Sequence, residues 1–172
     1  LCLPGGELRR VAVSIVAWTP FNETRGGAGH PQHARIHRDA YNLCHVLDPT
    51  RPVNDASGYA HVKTDIWTVH NYTQDPASLK AQMAIDPETG VWRNVPEHEP
   101  AYQGQPYIID EVGGIKWIPR EDLVFAADSW GYGEDVKSLE AFYARLEGLM
   151  DAVLMYDHIC GYCYTQLTDI EQ

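Results

Sequence analysis

Hydrophobic positions along this chain fall into two alternating patterns. Short continuous apolar runs occupy 11–18, 53–56, 65–70, 107–110 and 159–165, each closed by a polar, glycine or proline-containing segment. Runs of that length read as strands buried on both faces. Between them lie stretches with helical spacing. At 33–47, Ile36, Ala40, Leu43, Cys44 and Leu47 recur at helical intervals, and Asp48-Pro49-Thr50-Arg51-Pro52 ends the pattern. Each proline pushes the residue before it out of the α region. A short helix is predicted over 77–85. The clearest helix covers 136–156, with Leu139, Phe142, Tyr143, Leu146, Leu149, Met150, Val153 and Leu154 on one stripe. The connection 86–105 is long and polar, which is unusual in a compact domain unless it serves a site.

Strands that alternate with helices imply a parallel sheet covered on both faces, either doubly wound or closed into a barrel. A doubly wound nucleotide fold should carry a glycine-rich phosphate turn. Neither G-x-G-x-x-G nor G-x-x-x-x-G-K-[ST] occurs, so the barrel leads. A complete barrel takes about 250 residues. With 172 residues and five strand candidates, the expectation is one domain, 1–172, forming part of a TIM (β/α)8 barrel.

Charge narrows the partners. The formal net charge is −11 and no basic cluster stands out, which argues against nucleic acid and against an anionic membrane surface. No apolar stretch approaches the roughly 18 residues of a membrane span. The first residue is Leu1, so the compartment stays open. Cys160 and Cys163 are spaced like a redox or zinc half-motif, but residues three apart on a strand point to opposite faces. They are expected as ordinary buried thiols. His30, His33 and His37 lack the intervening glutamate of H-E-x-x-H and are expected on a solvated helix face, with no metal and no cofactor.

Two glutamates carry the candidate chemistry. Glu23 follows the first apolar run and Glu111 follows 107–110, so each carboxylate stands where a strand opens into a polar loop. Strand ends of this kind hold the chemistry of parallel α/β proteins. A pair of such carboxylates suits glycosidic bond cleavage.

The segments IVAWTPFNE (15–23), LDPTRPV (47–53), DIWTVHNYTQD (65–75), YQGQPYIIDE (102–111), SWGYG (129–133) and GYCYTQLTD (161–169) resemble family 2 glycoside hydrolases. The blocks occur in the family's order, and the similarity is greatest to β-galactosidase-like and β-glucuronidase-like members. The resemblance implies a retaining exo-β-glycosidase, β-galactosidase-like, with β-glucuronidase or β-mannosidase as alternative specificities. It places the strand candidates as strands 4 to 8 of the barrel, with Glu23 as acid/base after strand 4 and Glu111 as nucleophile after strand 7. The acid/base is then expected to have its pKa raised by burial and by the Glu111 charge. Asn22 would bind the sugar 2-hydroxyl, while His70 and Tyr72 would face the same mouth. Trp117, Trp130 and Tyr132 would form a sugar-stacking wall unless they anchor their own loop. Asp169 is a weaker candidate for a hydroxyl contact, and Asp110 is expected to point away from Glu111 by strand alternation. The implied partner is a β-glycoside. The rival expectation is a barrel fragment that keeps both glutamates without catalysing, and that must dimerise, aggregate or be completed by further strands. A carbohydrate-binding module is a third reading, weaker because it has no need of paired acidic strand ends.

Overall fold

The computed structural model describes residues 14–119, 129–166 and 168. Their elements, in order, are a 3-10 turn Thr24–Gly27, α1 (Pro31–Leu47), β1 (Trp67–Asn71), α2 (Pro76–Met83), β2 (Tyr107–Gly113), α3 (Leu139–Leu154) and β3 (Ile159–Thr165). The strands form one sheet in the order β1-β2-β3, with β2 and β3 parallel. This is a small mixed α/β arrangement, and among the described residues three strands are present rather than eight.

The chain divides into two compact units, one ending at Thr68 and including Asn94–Gln105, the other formed by Val69–Arg93 and the residues from Pro106. In the first unit, the described part of the run expected as a strand at 11–18 meets the 53–56 run in an isolated parallel bridge, Trp18 with Val53, and a second such bridge joins Asn22 to Ser57. The hydrogen bonds Trp18 N–H to Pro52 O, Asn54 N–H to Trp18 O, Ser57 N–H to Phe21 O and Glu23 N–H to Ser57 O tie them, at 2.9–3.1 Å. The parallel register is present, but the segments are too irregular to form a continuous ladder.

α1 starts on Pro31, after His30 accepts the Gln32 N–H as N-cap, and runs to Leu47 as the spacing predicts. Its orientation differs from expectation. Ile36, Leu43 and Leu47 are 54–56% exposed, whereas His37 is buried. The inward face is polar because two aspartates wait beneath it. His37 Nδ1 lies 3.3 Å from Asp55, and Tyr41 and His45 reach Asp65 at 2.6 and 2.7 Å. Leaving a buried carboxylate without partners costs more than half-exposing three aliphatic side chains. His37 therefore does not sit on a solvated face, while His30 is exposed and His33 is intermediate.

The second unit holds the cleaner elements. α3 is capped by Ser138, whose Oγ accepts the Ala141 N–H, and buries Leu149, Ala152 and Val153. Tyr143 and Leu154, on the expected stripe, are exposed. α2 packs against α3, and a Cβ at Gly148 would press on the Pro76 ring at 2.7 Å. β3 spans the predicted 159–165, but Cys160 and Cys163 are exposed free thiols, not buried ones. Among the described residues, strand β3 has a neighbour on its β2 side only, so its residues are not enclosed as they would be in a central strand.

Candidate active site

Each expected carboxylate is held by its own unit. Glu23 lies directly after the Asn22–Ser57 bridge and just before the 3-10 turn, with φ 50° and ψ 49°. A non-glycine residue in the left-handed region carries a conformational cost, and such positions cluster at functional sites. The backbone bond from Glu23 to Ser57 O holds it there. Phe21, Asn22, Glu23 and Thr24 then line an open cleft of about 730 Å³ with the N-cap His30 and with His33 and His37 from α1. Asn22 and Glu23 are both exposed, so the burial expected around an acid/base is not found here.

Below that cleft lies a polar core that the sequence reading missed. Asp55, fully buried, accepts from His61 Nδ1 at 2.7 Å, from His37 Nδ1 at 3.3 Å, and from the Val62 and Lys63 N–H groups at 2.7 and 3.0 Å. Burial alone would raise this carboxyl, but the imidazole and backbone donors outweigh it and hold Asp55 well below the usual carboxylate range. Burial pulls His61 down, yet the Asp55 hydrogen bond and charge leave it raised, and its Nε2 stands 2.8 Å from Thr68 O. His33 is lowered by burial and by its neighbour His37, whose ring lies tilted against it with centroids 4.0 Å apart. The aspartate in 53–56 and the histidine at 61 were the available signal, but nothing in their spacing says that they meet.

Glu111 sits near the end of β2 in the second unit. Tyr72, just past β1, donates its hydroxyl to Glu111 Oε2. His70 Nδ1 lies 3.2 Å from the same oxygen and its side chain is wholly buried. Burial, followed by the Glu111 hydrogen bond, pushes the Tyr72 phenol far above its usual value, so it is the donor at neutral pH.

Glycines beyond Glu111 allow this packing. Gly113 and Gly114 have φ 103° and 66°, and a Cβ on either would enter the Tyr164 or Tyr132 ring. Gln74 braces the turn, donating to Tyr72 O at 3.1 Å and Gly113 O at 2.5 Å. The segment from Ser129 onward folds back through bonds from Tyr132 N–H to Gly114 O and from Val136 N–H to Lys116 O. It lays Tyr132 flat on Tyr72, with centroids 3.7 Å apart and planes within 5°. Trp130, 53% exposed, meets Tyr132 edge-on at 6.0 Å. Trp117 instead packs on Phe142 of α3 at 6.0 Å. Of the three aromatics, Trp130 and Tyr132 thus gather beside Tyr72, and Trp117 has the geometry of a loop anchor. Asp110 does not turn away from the site: its Oδ1 lies 3.4 Å from His70 Nε2. Asp169 lies outside the described residues.

The fold has solved counterparts. The chain superposes on a GH2 beta-galacturonidase from Eisenbergiella tayi, bound to galacturonate, with a TM-score of 0.55 over 94% of its length at 18% identity. A beta-glucuronidase of an uncultured Clostridium sp. gives a TM-score of 0.59 over 93% at 16% identity. The chain shares its fold with part of these glycosidases. It spans 28% of the length of each. No protein-family model matches the sequence, and no curated protein matches it.

Proposed function

We propose that this chain belongs to the catalytic barrel of a retaining β-glycosidase of family 2, covering strands 4 to 8, with Glu111 as nucleophile and Glu23 as acid/base. The observation that carries the reading is the Glu111 carboxylate near the end of a parallel strand, with Tyr72 and His70 both on Oε2. Hydrogen bonds to a carboxylate favour its ionised form, which is the form that attacks.

In the first step a Glu111 carboxylate oxygen bonds to the anomeric carbon. The bond from that carbon to the leaving oxygen breaks as the Glu23 carboxyl protonates it. In the second step Glu23 takes a proton from water, the hydroxide oxygen bonds to the anomeric carbon, and the bond to Glu111 breaks. Asn22 binds the 2-hydroxyl, a contact that strengthens in the transition state. Trp130 and Tyr132 offer aromatic faces for the apolar face of a pyranose. A β-galactoside is the first substrate to try. β-Glucuronides and β-galacturonides follow, because the two structural neighbours carry those names.

The test is incubation with aryl β-galactoside, β-mannoside, β-glucuronide and β-galacturonide, followed by the matching 2-fluoro sugars and peptide mass mapping. Turnover that Glu111→Gln abolishes, with label on Glu111, is the expected result. Label on another residue would overturn the roles. Absence of both turnover and label would favour the rival reading, in which the segment keeps the carboxylates without being an enzyme by itself.

A further inference from the structure

Tyr72 lies just past the end of β1, outside the ladder, and its hydroxyl is donated to Glu111 Oε2. A hydrogen bond of this kind holds the hydroxyl alone. Rotation about the Cα–Cβ bond would carry the phenol to water, which replaces such a bond at modest net cost. Beside the phenol stands a second ring. Tyr132 lies flat on Tyr72, with centroids 3.7 Å apart and planes within 5°. Aromatic pairs left to themselves settle edge-on or offset, with centroids about 4.5–7 Å apart. The closer, face-to-face approach is therefore set by the backbone that carries Tyr132.

That backbone is tightly fixed. Tyr132 N–H donates to Gly114 O at 3.0 Å, and Tyr132 forms a parallel bridge with Ile115. A Cβ on Gly131 would meet Lys116 Cβ at 2.5 Å, and one on Gly133 would meet Gln74 Cγ at 2.7 Å. A Cβ on Gly114 would run into the Tyr132 ring and stand 3.3 Å from Tyr72 Cδ1, so a glycine there leaves the room in which the two rings meet. Burial and the Glu111 hydrogen bond are the main causes that raise the Tyr72 phenol, and Tyr132 adds to them. The face of Tyr132 laid on Tyr72 cannot hold a sugar, so this contact is separate from any sugar stacking.

We propose that Tyr132 is a positioning residue that acts through Tyr72: its ring holds the phenol in place and keeps the hydroxyl on Glu111. The catalytic consequence rests on the reading of Glu111 as nucleophile, while the placement of the phenol does not.

The experiment is NMR of the chain with 13C-labelled tyrosine rings. Ring-to-ring proton contacts between Tyr72 and Tyr132 are expected in the unsubstituted protein, and their absence overturns the proposal whether or not any variant folds. The Tyr72 Cζ signal, assigned by its loss in Tyr72→Phe, is followed to pH 11, above the ordinary tyrosine value of about 10. It should stay at the phenol position in the unsubstituted protein and in Tyr132→Phe, which keeps the ring. Titration below pH 11 in either of them overturns the proposal. In Tyr132→Leu, which keeps bulk without a ring face, the signal should titrate below pH 11, and a signal that stays at the phenol position overturns the proposal as well. On an aryl β-glycoside that the protein turns over, Tyr72→Phe and Tyr132→Leu should each lower kcat about tenfold, and the double variant no further, because both remove the same contact. Losses that multiply to about a hundredfold would show Tyr132 acting independently of Tyr72 and overturn its assigned role. If there is no turnover at all but the spectra follow the expected course, the glycosidase reading fails and the Tyr132–Tyr72 assignment stands.

Discussion

Replacing Asp55 with alanine should be among the most damaging single changes to the first unit. The carboxylate is fully buried and serves four donors: His61, His37 and the N–H groups of Val62 and Lys63. Alanine leaves two imidazoles and two backbone N–H groups in the interior facing a cavity. Hydrogen bonds to a charged group contribute about 1.5–3 kcal/mol each, but four such values do not add, because the donors share one acceptor and the site relaxes. Breaking a buried charged pair costs about 3–5 kcal/mol, and about 4 kcal/mol is expected here. In urea, with a slope of about 2 kcal/mol per molar, the midpoint would fall by about 2 M.

The loss also has a pH signature. Asp55 is held below its unfolded value, so its contribution is complete above about pH 4 and is lost as pH falls through the folded value. His61 is raised, so its contribution is complete below about pH 6.5 and is lost as pH rises through its folded value. The difference between the unsubstituted protein and Asp55→Ala should therefore peak at about pH 5–6. Urea titrations at pH 3, 5.5 and 9, followed by circular dichroism, measure it. A loss under about 1 kcal/mol at pH 5.5, or one that grows steadily toward alkaline pH, would refute this account of the buried carboxylate.

Three further outcomes are expected. Absorbance at 295 nm, titrated to pH 11, should leave Tyr72, raised by burial and by Glu111, and Tyr41, pushed up to about 12 by burial and Asp65, un-ionised. Tyr72→Phe should then remove no absorbance from the titration below pH 11. Gly113→Ala should destabilise by about 3 kcal/mol, because a Cβ there meets the Tyr164 ring at φ 103°. Gly161→Ala, whose Cβ would meet nothing within 4 Å, is the control and should change stability by less than about 0.5 kcal/mol in urea. Iodoacetamide should alkylate the exposed Cys160 and Cys163 well before Cys44, whose thiol burial raises, as read by timed peptide mass mapping.

Much of the second unit was legible in the chain. β3 falls on the predicted 159–165, α3 lies within the predicted 136–156, and β2 begins where 107–110 turns apolar. Local period and a serine cap suffice for these, because a helix or strand declares its repeat over a few residues. Glu111 was expected to follow the 107–110 strand, but β2 continues through it to Gly113. Tertiary structure decided the rest. The helical stripe of α1 read as core, yet Ile36, Leu43 and Leu47 face outward, since Asp55 and Asp65 had to be met by His37, Tyr41 and His45. The 53–56 run read as a strand, yet only Val53 and Ser57 bridge. Alternation put Asp110 on the far side of β2, and one extra residue against β3 brought it to His70 beside Glu111. Periodicity reports what neighbours along the chain do. Which carboxylate an imidazole meets, and where a ladder slips by one residue, is settled by partners that lie tens of residues away.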